Sequence, residues 1–557
     1  MKKDVYAEKP WMKSYNARVS RKLDYPSMSL PAYIEKAINK YPDRIAFYYG
    51  DLAVTFKELD AYGNKFANFL IKSGLKKGDV VGINSLNTPA YLIAELGILK
   101  AGCVQTGVSP LYKPEELLFQ LNNCNAKVLV TLDFLWGNVK QILAKTEVKA
   151  VVIAGLFDFL PDAAPIPEAM LKDVPEVKSY RFVDVMKDMP ATDPKVEIDP
   201  DSVFLIQYTG GTTGLPKGAQ HSHRSMLNWI VVWANWIDVQ EGKDYLLSPF
   251  PMFHVGGQLN GLLGMAKAMT QILIANPRDV DNLLLCILKY KPAHINAVPT
   301  LWLELLKRKE FCEMDFSGIR ICCSASAPFP AEYVRQFAKI VGENKLKELW
   351  GFTESLPISM TPPEKFKAYS VGVPITDCEV KVVDPDTNEI MQLGEVGELA
   401  VRGICVPDLG YYNNPAETAN LIRGGWMHTG DLGYMDEDGF IFIVDRLKDM
   451  VNVSGMKVFT RELDDAIVEH PDVELAASIG VPDPQRPGSE RVASVIVLKP
   501  GIAKSDEEKE KLLAFLKQRV APYKVPKVIE FVDQLPLSSV GKILKRELRE
   551  TLGKKLK

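Results

Sequence analysis

The sequence has no run of 18 or more uninterrupted apolar residues, and its opening segment MKKDVYAEKPWMKSY lacks the apolar centre of a signal peptide. Neither a membrane-spanning helix nor a secretory leader is expected. Histidine is scarce, with 6 in 557 residues, and the 8 cysteines form no C-x-x-C pair and no cluster with histidine at metal-ligand spacing. A disulfide framework and a Cys/His zinc site are thereby set aside, and the cysteines read as reduced, mostly core residues of a cytoplasmic protein. A strong charge of either sign is also missing: the formal net charge is −3, which gives no sign of a nucleic-acid partner. Peripheral membrane contact stays open, and the oligomeric state is not legible. No internal repeat or low-complexity tract is evident.

What is present is a soluble, globular composition, 47% apolar and 25% charged, in a chain too long for one ordinary core. Short β-branched runs alternate with helical patterns from about residue 80 onward: VVGIN at 80–84, KVLVTL at 127–132, KAVVIA at 149–154, VFLIQY at 203–208, HINAV at 294–298 and GIRICC at 318–323. Such alternation predicts parallel sheets with helices on both faces. From 376 to 445 the pattern changes to EVKVVD, GELAVRG and GFIFIVDR separated by Gly, Asp and Asn turns, an antiparallel subdomain. After Arg446 it changes again, to a small α+β unit with 21 Lys and Arg against 17 Asp and Glu, a basic balance suited to phosphates. There a helix is expected over 506–520, with Ser505 and Glu508 as a capping box and Leu512, Leu513, Leu516 and Val520 on one face. The expected fold class is α/β: a large N-terminal lobe of parallel sheets flanked by helices plus an antiparallel β subdomain, residues 1–445, and a small mobile α+β C-terminal domain, residues 446–557.

The most informative segment is YTGGTTGLPKGA at 208–219, which follows the apolar strand VFLIQ. Up to Gly218 it holds four glycines, three threonines and one lysine in eleven residues. Converging backbone N–H groups, the hydroxyls of Thr209, Thr212 and Thr213, and Lys217 make a phosphate cradle, with Gly210, Gly211 and Gly214 permitting the curl. It is not a Walker A loop, because Pro216 stands where that pattern needs glycine. A plain surface turn is the bland alternative, but surface turns seldom carry this set directly after a buried strand.

Together with VTFKELDAYGNKFANFL at 54–70, WGFTES at 350–355 and PLSSVGKILKREL at 536–548, this loop resembles the adenylate-forming superfamily of acyl-CoA synthetases, luciferases and nonribosomal-peptide adenylation domains. The likeness runs over nearly the whole chain, with separated motifs in the family's order. Glu354 has the hard-oxygen chemistry that Mg²⁺ requires and Thr353 can donate to a phosphate; the resemblance implies those roles, adds Thr209 as a second metal contact, and implies adenine stacking by Trp350 beside Gly351. SASAP at 324–328 sits where the family forms the opposite adenine wall, so Ala325 and Ser326 are assigned there: the family often shows Gly or Ala in these places, and this segment departs from its Gly-rich version.

A lone histidine is as often structural as functional, but FPMFHVGG at 250–257 matches the family segment whose histidine lies beside the acyl carboxylate and phosphates, here His254. Small residues at Val255, Gly256 and Gly257 suggest a roomy acyl tunnel. Asp431 of TGD has a carboxylate able to accept two ribose hydroxyls; the resemblance adds Arg446 near the ribose and makes Lys448 the hinge. Asn452 and Met456-Lys457 depart from the family pattern on the surface that would serve the second half-reaction. Lys542, on a glycine-preceded turn, matches the lysine that catalyses adenylation, where a positioned cation offsets charge developing on the α-phosphate.

The implied activity is an AMP-forming acid–CoA ligase using ATP, Mg²⁺ and coenzyme A. The carboxylate attacks ATP to give acyl-AMP and pyrophosphate; the small lobe then swings about Lys448, brings the Gly455 region to a pantetheine tunnel, and lets CoA form the thioester. The N-terminal segment KPWMKSYNARVSRKLDYPSMSL, Trp350 and FHVGG are similar to long-chain fatty-acid–CoA ligases, which makes a fatty acid the first choice of substrate. Medium-chain or aryl acids, a luciferase-like monooxygenase, a stand-alone adenylation enzyme serving a carrier protein, and a non-catalytic nucleotide-binding scaffold are the alternatives.

Overall fold

The computed structural model describes residues 4–160, 163–174, 176–209, 216–326, 329, 331–486, 489–538 and 542–555. Within it the β-branched runs become strands close to where the alternation puts them. One seven-stranded sheet has the order Lys178–Arg181, Ala150–Ala154, Ala126–Leu132, Val80–Asn84, Val104–Gly107, Val203–Tyr208, Gly218–Ser222, parallel except for its last strand. That antiparallel final strand lets the phosphate loop leave from Tyr208 and return at Gly218 on neighbouring strands.

A second, nine-stranded sheet is parallel through Ile45–Tyr49, Thr270–Ile272, Tyr245–Leu247, His294–Ala297, Ile321–Ser324 and Leu346–Trp350. Antiparallel strands close its two edges, Leu52–Thr55 at one and Ser359–Met360 with Val373–Pro374 at the other. The helix Pro89–Ala101 is buried at every residue and lies with Val255–Ala266 in a core shared by both sheets. Its apolar residues go all round, as a helix covered on every side requires. The motif at 54–70 opens the helix Phe56–Lys72 through a complete capping box: Thr55 Oγ1 accepts from Glu58 N at 3.2 Å and Glu58 Oε2 accepts from Thr55 N at 2.8 Å.

The antiparallel subdomain is a five-stranded sheet in which Gly397–Gly403 pairs with both Cys378–Val383 and Trp426–Met435, and the latter pairs with Ile441–Arg446. Beyond it, a three-stranded sheet, Val473–Pro482, Glu490–Leu498 and Val528–Val532, is covered on its faces by two apolar clusters drawn from residues after 450. Six of the eight cysteines are buried and all are free, in keeping with a core role. No helix among the described residues is long and apolar enough to cross a membrane.

Two expectations about the helix in this small unit need correction. It spans Asp506–Lys517, so Val520 falls beyond its end; Pro522, which has no N–H to give the Gln518 carbonyl, keeps the helix from continuing. Ser505 caps the helix by accepting from Glu508 N at 3.2 Å, but the reciprocal half of the capping box is not made: the Glu508 side chain turns into the protein instead.

Candidate active site

The end of the strand Leu346–Trp350 and the middle of Trp426–Met435 bring Trp350 and Asp431 together. Trp350 Nε1 donates to Asp431 Oδ2 at 2.8 Å, and each residue is 5% exposed. Asp431 faces Arg446 across the strand pair, and Arg446 Nε lies 3.2 Å from Asp431 Oδ1. Burial raises the Asp431 carboxyl above its ordinary value, while Arg446, the Trp350 N–H, Lys542 and Lys448 oppose that rise. The chain continues from this ion pair into the segment expected to act as hinge, with Leu447 N donating to Gly430 O at 2.8 Å.

Lys542 arrives at the same place from the far end of the sequence. Its turn is held by Ser538, whose N–H donates to Lys542 O at 2.8 Å and whose Oγ accepts from Lys542 N at 3.1 Å. The side chain stands within electrostatic range of Arg446, Asp431, Glu354, Lys448 and His254. Removal from bulk water, together with the like charges of Arg446 and Lys448, lowers its ammonium to about 8, against the pull of Asp431 and Glu354. The residue is exposed, so water offsets part of that shift. Lys448 is also lowered, first by desolvation and then by Arg446.

His254 stands at the N-cap position of the helix Val255–Ala266, and burial, with a further push from Lys542, lowers its imidazole to about 3. It is therefore a neutral ring beside the cation. Its segment is held by residues that the motif reading did not single out. Asn87 Nδ2 donates to Phe250 O at 2.9 Å and Asn87 Oδ1 accepts from Met252 N at 2.8 Å; the Tyr91 hydroxyl donates to Met252 O at 2.6 Å, and Gln207 Nε2 to Phe253 O at 2.9 Å. Gly257 is small for a reason other than tunnel width. A Cβ there would stand 2.1 Å from the Pro251 carbonyl oxygen, so the turn itself requires glycine, whereas a Cβ on Gly256 would meet only Leu356 at 4.0 Å.

Glu354 is half-buried, and the Tyr411 hydroxyl donates to its Oε1. Lys217 pairs with Glu417 and lies 5.4 Å from the centre of the Tyr411 ring. The neck of the phosphate loop is closed by Thr209 N donating to Lys217 O at 2.9 Å. Thr209 and Glu354 offer a hydroxyl and a carboxylate, the hard-oxygen set that suits a Mg²⁺ ion keeping its waters and binding substrate phosphates. Tyr411 and Glu417 lie in GYYNNPAET, where the Asn-Pro turn that caps Pro415–Leu421 was the available signal. Gly210, Gly211, Thr212, Thr213 and Gly214 lie outside the described residues.

In the segment expected to wall the adenine, Ala325 is buried and Ser326 has φ 77°, in the left-handed region that favours glycine. A Cβ on Gly351 would meet Leu356 Cδ1 at 2.6 Å and Ser355 O at 2.9 Å, so the bend after Trp350 depends on glycine. Thr353 follows on that bend and is half-buried beside Glu354. The hairpin Val451–Val453 and Met456–Val458 turns through Ser454 and Gly455, at φ 52° and 88°, and Asn452, Gly455, Met456 and Lys457 on it are exposed. Lys542 is thus at the cluster while the Gly455 turn faces solvent.

The AMP-binding enzyme pattern matches residues 34–412, and that of the AMP-binding enzyme C-terminal domain matches residues 462–542. The chain is 35% identical to a long-chain-fatty-acid–CoA ligase of Escherichia coli O157:H7 across 98% of both proteins. Among solved structures, it superposes on the anthranilate CoA ligase AuaEII in complex with anthranoyl-AMP with a TM-score of 0.86 and 26% identity, covering 95% of this chain and 98% of that one. For MatB of Rhodopseudomonas palustris, at 25% identity and with 95% of this chain and 100% of that one covered, the TM-score is 0.84 to the ATP-bound form and 0.73 to the apo form.

Proposed function

This chain belongs to the AMP-binding enzyme family as an adenylate-forming acid–CoA ligase, and on that premise we propose that its acid is a long-chain fatty acid. The observation that carries the substrate is the 35% identity, end to end, with a ligase of that description. Trp350 and the FHVGG segment are in keeping with it.

In the proposed first half-reaction a carboxylate oxygen attacks the α-phosphorus of ATP, the bond to the bridging oxygen breaks, and pyrophosphate leaves with that electron pair. Lys542 holds the carboxylate and the α-phosphate together and offsets the charge that grows on both. Neutral His254 shapes the acyl end without adding a second charge. Asp431 accepts from the ribose hydroxyls, with Trp350 and Arg446 fixing its orientation, and Trp350, Gly351, Ala325 and Ser326 enclose the adenine. Thr209 to Lys217, with Thr353, bind the phosphates, which must take Lys217 from Glu417. Thr209 and Glu354 would hold Mg²⁺, which supplies charge neutralisation at the phosphates when bound.

The second half-reaction follows from a division at residues 445 and 446. Rotation of the small domain about Lys448 withdraws Lys542 and presents the exposed Gly455 hairpin, after which the CoA thiol attacks the acyl carbonyl and AMP leaves. The higher TM-score to ATP-bound than to apo MatB supports reading the present arrangement as that of the first step. A series of acids from short-chain to long-chain and aryl, each given with ATP and CoA, tests the substrate. Highest kcat/KM for AMP release on long chains is expected; an optimum on short-chain or aryl acids would overturn the assignment.

A further inference from the structure

The Glu508 side chain breaks a local rule in a way that points to a ligand. The equivalent Thr-x-x-Glu arrangement at Thr55–Glu58 closes its capping box, yet in Ser505-x-x-Glu508 the Glu508 side chain leaves the Ser505 amide and is 5% exposed, with Oε1 buried and without a hydrogen-bond partner. Its Oε2 lies 3.6 Å from Lys511 Nζ. A buried carboxylate oxygen left without a donor has lost its water with nothing in exchange.

The carboxylate is turned toward the segment that joins the helix Thr460–Val468 to the strand Val473–Pro482. One ligating atom each from His470, Asp472 and Glu508 lies within 4.8 Å of the others. His470 is buried, and its ring meets Phe515, from the same helix as Glu508, edge-on at 4.9 Å. Its Nδ1 is 3.3 Å from Asp472 N and 3.9 Å from Asp472 Oδ2.

We propose that His470, Asp472 and Glu508 form a binding site for a divalent transition-metal ion, Zn²⁺ being the ion tested, separate from the residues assigned to Mg·ATP. One imidazole and two carboxylates suit a borderline ion, whereas Mg²⁺ and Ca²⁺ prefer oxygen donors alone. Two carboxylates balance the ion's charge, and water completes the coordination. Ligands on bonds of about 2.1 Å sit roughly 3.4 Å apart in a tetrahedron, so the three side chains need move only about an ångström to close on it. The ion would tie the first turn of the Asp506–Lys517 helix to the residues before the central hairpin of the small unit, and binding only the folded form would raise its melting temperature.

The test uses the full chain, stripped of metal with a chelator and then titrated with Co²⁺. One ion per chain is expected, with d–d absorption, no thiolate-to-cobalt charge-transfer band, and displacement by Zn²⁺. Glu508→Gln, which keeps the shape of the side chain, and His470→Ala should each weaken uptake at least tenfold. Pyrophosphate exchange with Mg·ATP should stay unchanged in Glu508→Gln. Absence of stoichiometric uptake, or equal uptake by the parent chain and both variants, would overturn the proposal.

Discussion

Trp350 donates its indole N–H to Asp431 at 2.8 Å, joining the last parallel strand of one sheet to the central strand of the antiparallel subdomain. A residue assigned to the adenine thereby orients the residue assigned to the ribose. Trp350→Phe keeps an aromatic face but removes the donor. A hydrogen bond to a buried carboxylate is worth about 1.5–3 kcal/mol, so the KM for ATP should rise roughly tenfold or more in pyrophosphate exchange. A KM within about twofold of the parent would show that Asp431 needs no such support.

The alkaline limb of the pH profile should belong to Lys542. The ammonium is the working form, so kcat/KM for ATP is full below its pKa and lost as pH rises through it. That loss is expected between about 8 and the ordinary 10.5. Lys542→Arg, whose charge persists, should carry the limb upward; a limb that does not move assigns it to another group.

Tyr411 donates to Glu354 and so fixes the proposed metal contact. Outer partners of a metal ligand typically matter by 10–100-fold. Tyr411→Phe should therefore raise the half-saturating Mg²⁺ concentration about tenfold at fixed ATP, and Glu354→Gln more. Equal Mg²⁺ dependence in parent and Tyr411→Phe would separate the hydroxyl from the metal.

Gly257 and Gly256 should respond in opposite ways. A Cβ on Gly257 falls 2.1 Å from a backbone oxygen, so Gly257→Ala must displace the Pro251–His254 turn and should lower both the melting temperature and adenylation by more than tenfold. Gly256→Ala meets only one methyl at 4.0 Å and should melt within a degree or so of the parent. Thermal melts and pyrophosphate exchange on the pair check this.

Alternation located parts of both parallel sheets, since buried strands such as Val80–Asn84 and Val203–Tyr208 are mostly apolar or β-branched runs, but it passed over the parallel strands Ile45–Tyr49, Tyr245–Leu247 and Thr270–Ile272. It did not locate the edge strands Leu52–Thr55 and Ser359–Met360, which are too short to show a period. Site candidates inside dense motifs, Asp431, Glu354 and Lys542 among them, could be picked out because their chemistry and their neighbours agree. Asn87, Tyr91 and Glu417 were not, because each acts through a partner 100 or more positions away in sequence. Glu508 shows the converse: its local pattern forecast a full capping box, and the Glu508 side chain turned inward left only the Ser505 half of it.

The adenylation account stands most directly on Lys542, so the two half-reactions of Lys542→Ala should be measured separately. Loss of a positioned cation worth several kcal/mol should cut acid-dependent pyrophosphate exchange by roughly 10²–10³-fold, while conversion of supplied acyl-AMP and CoA to acyl-CoA proceeds within about twofold of the parent rate. Equal loss in both half-reactions, or full pyrophosphate exchange without the lysine, would contradict it.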